Sequence, residues 1–211
     1  MDSIEGPQSG QMRLRDLPFG SKLWDVQPPE IIKADELVLQ RWEMRWAEEG
    51  AAAVRESLPE LQPFLPWARD EYGVADARDY VKRSTDGWDK GEEFNHAILN
   101  SDGDLVGSIG LMTRMGPGVL EIGYWLRTVY TGRGYMTAAV EALTRVALTL
   151  PGIERVAIRH DAANVRSAAV AERAGFAEVE RRKADPEAAG DSRTEVVRER
   201  RSERPARHTS E

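Results

Sequence analysis

Apolar positions along this chain recur with two different periods, and each change of period marks an element. Leu37 and Leu39 alternate with polar neighbours, as on a strand with one buried face. Residues 44–58 then read as a helix with Trp46, Ala53 and Val54 on its inner side. Pro59, Pro63 and Pro66 break the following segment into an aromatic-rich loop. Residues 76–88 predict another helix, ended by a turn at Asp89, Lys90 and Gly91.

Three β segments follow at 93–99, 105–113 and 120–126. The turn formers Asn100 to Gly103 and Met115 to Gly118 separate them, which predicts an antiparallel meander. The period returns to three or four at Met136, Ala139, Val140, Leu143, Val146 and Leu150, the spacing of a helix facing a core, and Pro151 with Gly152 stops it. A β-branched run at 155–160 precedes a helix at 165–174 closed by Gly175. Strand, helix, strand, helix argues for one parallel pair in an otherwise antiparallel sheet. The last β signals are 176–180 and 194–197, bridged by a polar loop at 184–192. Residues 1–33 are expected to form a partly ordered arm with a short strand near Met12 to Leu17, and 200–211 a disordered polar tail, which leaves 34–199 as one domain.

Composition narrows the class of function. With 41% hydrophobic and 31% charged residues the chain suits one globular domain. It has no apolar run near the roughly 18 residues needed to span a bilayer, and its start lacks a signal-peptide pattern, so a cytoplasmic protein without membrane partners is expected. A net charge of −7 disfavours nucleic acid, whose phosphates need Lys and Arg. The chain has no cysteine, which excludes disulfides and acyl-cysteine intermediates. Three dispersed histidines suggest no metal site.

Candidate chemistry gathers at Thr131, Gly132, Arg133, Gly134, Tyr135 and Met136, where a strand meets a helix. Two glycines let the backbone approach a ligand, and the amides of a helix start can cradle a diphosphate, although such a turn also serves as a plain tight connection. Asn164 reads equally as a helix N-cap, and Ser167 as a polar first-turn residue. His160, at a strand end, reads as a hydrogen-bonded histidine before a proton shuttle.

The strand Glu121-Ile-Gly-Tyr-Trp-Leu126, the turn Thr131-Gly-Arg-Gly-Tyr-Met136 and the helix from Asn164 to Phe176 occur in the order and spacing of the GNAT N-acetyltransferases. Over about residues 35–198 the chain resembles their RimJ/RimL branch, as does the loop Leu65-Pro66-Trp67-Ala68. That resemblance implies a single α/β acyl-CoA N-acyltransferase domain, with a mixed, mostly antiparallel sheet of about seven strands and helices on both faces. It implies acetyl-CoA as co-substrate in a V-shaped opening of the sheet. Residues 131–136 would hold the diphosphate with Thr137 alongside, and Trp125 and Leu126, on a bulged strand, would present backbone to pantetheine. It also implies Glu121 as general base, Ser167 as general acid and coenzyme A contact, and Asn164 as a further contact. The family's pattern has Gln or Arg at position 131, Gly or Ala at 136 and often a tyrosine at 171, where this chain has Thr131, Met136 and Ala171. Trp67 and Tyr124 are the expected substrate-binding side chains, with Trp46 and Tyr72 as possible walls.

The implied acceptor is a protein or peptide N-terminal α-amine. A small-molecule or biosynthetic-peptide amine, succinyl-CoA as donor, and a non-catalytic acyl-CoA sensor stand as alternatives. A monomer or homodimer is expected.

Overall fold

The computed structural model describes residues 27–202. Eight strands form one sheet: β1 (Ile31–Ala34), β2 (Leu37–Arg41), β3 (Glu93–Leu99), β4 (Leu105–Met112), β5 (Val119–Leu126), β6 (Arg155–Asp161), β7 (Ala177–Lys183) and β8 (Thr194–Arg201). Their order across the sheet is β1-β2-β3-β4-β5-β6-β8-β7, and every neighbouring pair is antiparallel except β5 and β6. The helices are α1 (Ala47–Glu56), α2 (Leu58–Leu61), α3 (Val74–Lys90), α4 (Tyr135–Ala147) and α5 (Val165–Arg173).

Side-chain alternation divides the core between the two faces of the sheet. On one face α4 and α5 bury Met136, Val140 and Leu143 against Leu39, Ile109, Leu120 and Ile122. On the other, α1 and α3 bury Ala51, Val54 and Val81 with Trp42, Leu105 and Trp125. Residues 120 and 122 therefore face one layer while Glu121 and Trp125 face the other, as the period of two requires.

The sheet differs from the sequence reading mainly at its edges. The expected arm gives up Ile31 to Ala34 as β1, whose alternate exposed and buried residues pair with β2. The last strand continues to Arg201, because its polar residues form a ladder with β6, which a hydrophobic pattern does not reveal. Pro59 does not break the chain into loop but sits in the first turn of α2, where its missing N–H costs no helical bond. The strand suggested near Met12 to Leu17 lies outside the described residues. Among those described, no helix is long and apolar enough to cross a membrane.

The feature that positions the site is the β5–β6 junction. These strands pair only at Val119↔Arg155, Leu120↔Val156 and Glu121↔Ala157. Beyond that point β5 stays on β4 and β6 stays on β8, so twist carries the two strands apart. The bulge implied for β5 is absent from its register with β4, which runs unshifted from Gly107↔Leu126 to Met112↔Glu121. The opening comes from the divergence of two strands each held on its outer side. Register shifts lie elsewhere, at Ile98 and Leu99 between β3 and β4 and at Glu178 and Glu180 between β7 and β8.

Candidate active site

A cleft of about 1900 Å³ passes through this opening. Along its β5 wall the segment 122–126 has no partner strand on the β6 side, so outward-facing backbone groups near Trp125 and Leu126 are free to pair with an extended ligand. At one end the turn at Thr131 to Gly134 is exposed. Gly132 has φ +79° and Gly134, the α4 N-cap, has φ +83°, left-handed conformations that favour glycine. No side chain caps α4, so its first-turn amides and the positive end of its dipole face the cleft. Met136 points its side chain into the core and offers only backbone here. Tyr135 stacks on Tyr130, and Arg133 lies over the Tyr130 ring.

The α5 start supplies the next groups. Asn164 Oδ1 accepts from the Ser167 backbone N–H at 3.0 Å, which makes Asn164 the N-cap. Ser167 Oγ lies 2.8 Å from the Tyr124 hydroxyl, joining α5 to β5 across the opening. Burial pushes the Tyr124 hydroxyl up to about 12, so it remains protonated at neutral pH. Tyr124, expected to contact substrate, lines the cleft with its hydroxyl engaged by Ser167. At the far end of α5, Arg173 Nε reaches Thr137 Oγ1 at 3.3 Å and places a cation beside the α4 first turn. Arg173 lies within the recognisable Asn164 to Phe176 motif, and its position relative to α4 is what the sequence did not disclose.

Glu121 occupies the vertex of the opening, 3% exposed. Arg114, on the β4–β5 hairpin, grips it bidentately, Nε to Oε2 at 2.7 Å and Nη2 to Oε1 at 2.6 Å. Arg159 Nε lies 3.1 Å from Oε1, but its N–H is not aimed for a hydrogen bond. Arg159 also pairs with Glu195, which in turn holds Arg182. Burial alone would raise the Glu121 carboxyl, but the two guanidinium groups outweigh it and hold the carboxyl below its ordinary value. The carboxylate expected to act as base is thus tied to cations in this state. Neither arginine was visible as a site residue in the sequence, since they come from a hairpin and another strand.

Elsewhere on the cleft wall, Trp67 is 39% exposed and leans on Tyr72 and Trp125, with ring centroids 5.8 and 6.3 Å away. Trp46 is not a wall: it is buried beside Trp42. The loop joining β7 to β8 crosses to the Trp67 loop, where Gly190 N–H donates to Pro63 O at 2.9 Å. Its acidic residues Asp185, Glu187 and Asp191 line the cleft. His160 is fully engaged, Nδ1 to Asp161 O at 2.8 Å while Nε2 accepts from Arg198 Nε at 3.3 Å. Among the described residues no group of three or more His, Cys, Asp or Glu could hold a metal ion.

The acetyltransferase (GNAT) domain family matches residues 37–177. The chain belongs to that family. Among curated relatives, the Bacillus subtilis protein named Probable N-acetyltransferase YjcK is 28% identical over 151 residues, covering 69% of this chain and 83% of its own length. The fold is shared with RimL, the ribosomal L7/L12 alpha-N-protein acetyltransferase, in complex with coenzyme A. That match has TM-score 0.75 and 23% identity, covering 82% of this chain and 98% of RimL. It is shared equally with Mycobacterium smegmatis RimJ in complex with a CoA disulfide, at TM-score 0.74 and 22% identity, covering 87% and 91%. The microcin C7 self-immunity acetyltransferase MccE, in complex with acetyl-CoA and AMP, also matches, at TM-score 0.74 and 20% identity over 80% and 93%. The GNAT domain makes this chain an acyltransferase enzyme that draws on acyl-CoA.

Proposed function

We propose that this acetyltransferase moves the acetyl group of acetyl-CoA directly to the α-amine of a protein or peptide N-terminus. The observation that carries the reading is the state of Glu121. Clamped by Arg114, it is a weak base, so the enzyme depends on an acceptor that is already partly neutral. An α-amine, with pKa about 7.7–8.0, meets that demand, whereas a lysine, at about 10.4, has a few-hundred-fold less neutral amine near pH 7.5. The acidic loop over the acceptor side supports the same reading, because it attracts a cationic chain end before the proton leaves. Both arginines beside Glu121 are occupied by carboxylates, which favours an acetyl over a succinyl donor.

In this reading the α4 amides and Arg173 hold the diphosphate, and free backbone at Trp125 and Leu126 aligns pantetheine and polarises the thioester carbonyl. The neutral amine attacks that carbonyl, the C–S bond breaks, and the thiolate takes a proton from the Ser167–Tyr124 hydroxyl pair while the ammonium loses one to water. RimL, named as a ribosomal L7/L12 alpha-N-protein acetyltransferase, suggests the class of acceptor by analogy.

Thiol release from acetyl-CoA tests the proposal, using a lysine-free peptide with a free N-terminus, its N-blocked form and small amines. Release with the free peptide alone is expected. Release with small amines alone would move the acceptor to a metabolite or biosynthetic-peptide amine, and tight acetyl-CoA binding without any release would make the protein a sensor.

A further inference from the structure

We infer that Arg114 is the residue that sets which amines this enzyme accepts, by occupying Glu121 and so withholding a general base from strongly basic acceptors. The inference rests on the α-amine reading for its biological sense, but its geometry is independent. Glu121 is almost wholly buried at the vertex of the opening, yet its chief partner has a side chain 55% exposed. Arg114 sits on the hairpin between β4 and β5, outside both strands, and reaches the carboxylate from there. It supplies both directed hydrogen bonds, and they cover both carboxylate oxygens.

The surrounding charges point the same way. Arg159 approaches Oε1 from β6 without a directed bond and is shared with Glu195 of β8. Glu93 of β3 and Glu187 of the β7–β8 loop act on Arg114 and strengthen its hold on its proton. Removing Arg114 therefore leaves a buried carboxylate beside one cation, Arg159, that makes no directed bond to it. Burial then favours proton uptake. A Glu121 so released takes the proton that an ammonium must lose to become the attacking amine, while the C–S bond breaks and the thiolate is protonated as before. Proton and electron balance are unchanged; only the acceptor of the amine proton moves from water to carboxylate.

The test compares wild type, Arg114→Gln, Arg114→Lys, Glu121→Gln and Arg114→Gln/Glu121→Gln. Acceptors are the free-N-terminus peptide, an N-blocked peptide with one lysine, and glycinamide, benzylamine and n-butylamine in order of rising basicity. Arg114→Gln is expected to shift kcat/KM toward the more basic amines by about tenfold or more, below the 10²–10⁴ that a full general base supplies. Arg114→Lys should shift it less, and the double variant should lose the shift. An unchanged preference in Arg114→Gln, or a shift that persists without Glu121, overturns the inference. The α-amine reading fails separately, if wild type itself prefers lysine or small amines. Should no amine turn over, ¹³C NMR titration of the Glu121 carboxyl, assigned by its loss in Glu121→Gln, decides: its midpoint rises in Arg114→Gln if Arg114 is the clamp, and an unmoved midpoint refutes it. Acetyl-CoA binding checks that each variant is folded.

Discussion

The hydroxyl pair of Tyr124 and Ser167 shows how a single residue's environment decides its chemistry. A serine alone is a poor acid, but Ser167 is hydrogen-bonded to a phenol that burial keeps protonated to about 12. The pair can pass a proton to the departing thiolate from Ser167, which is refilled by the Tyr124 hydroxyl, and the phenol in turn regains its proton from water. Tyr124→Phe and Ser167→Ala should each lower kcat about a hundredfold, at the low end for a proton donor, with the KM for acetyl-CoA little changed. Because they act as a unit, the double variant should be no slower than the worse single one; additive losses would separate their roles. Ser167 and Asn164 were legible in the sequence because their geometry is local to one helix turn. Arg114 and Arg159 were not, since nothing at positions 114 or 159 announces that a hairpin and a parallel strand will bring both to Glu121.

Elements carry the next layer of control. Strands and helices with a clear period were readable, and the β5–β6 divergence follows from one parallel pair inside an antiparallel sheet. Edges were readable only in part: the strand expected at 176–180 runs as β7 to Lys183, and because β7 is exposed at every residue no buried face imprints an alternation that would mark its end. Asn164 tests whether a cap and a cofactor contact can be told apart. Asn164→Ala should cost about 1 kcal/mol of stability, and Asn164→Ser should restore most of it. Denaturant midpoints report the cap and the KM for acetyl-CoA reports the contact; a restored midpoint with a KM still raised assigns Asn164 a second role. Gly190 tests the roof. A Cβ there would lie 2.6 Å from both Cβ and O of Pro63, so Gly190→Val must lift the loop from its neighbour. Under the proposed function the acidic loop meets the acceptor, so steady-state kinetics should show a raised KM for the acceptor with that for acetyl-CoA unchanged. Equal change in both would mean that the loop supports the whole cleft.

At the scale of the whole molecule, the pH dependence of stability follows from a histidine far from the chemistry. His96 is fully buried on β3, its Nε2 bonded to Pro29 O at 3.1 Å and its ring edge-on to Trp88. Burial lowers its pKa from 6.5 to about 4, since a charged imidazole would lose its water. A group depressed on folding contributes stability that is full above its unfolded pKa and lost as pH falls toward the folded one. The loss therefore begins near pH 6.5 and runs toward 4, at about 1.4 kcal/mol per pH unit, or about 2 kcal/mol by pH 5. Glu121 and Asp161, both held below their ordinary values, add their own losses only at lower pH, where free carboxylates begin to protonate. Urea midpoints between pH 6.5 and 5 isolate the histidine. His96→Leu should start less stable, because Pro29 O loses its donor, yet its midpoint should stay nearly flat across that window while wild type falls. A parallel fall in both would place the acid sensitivity elsewhere in the sheet.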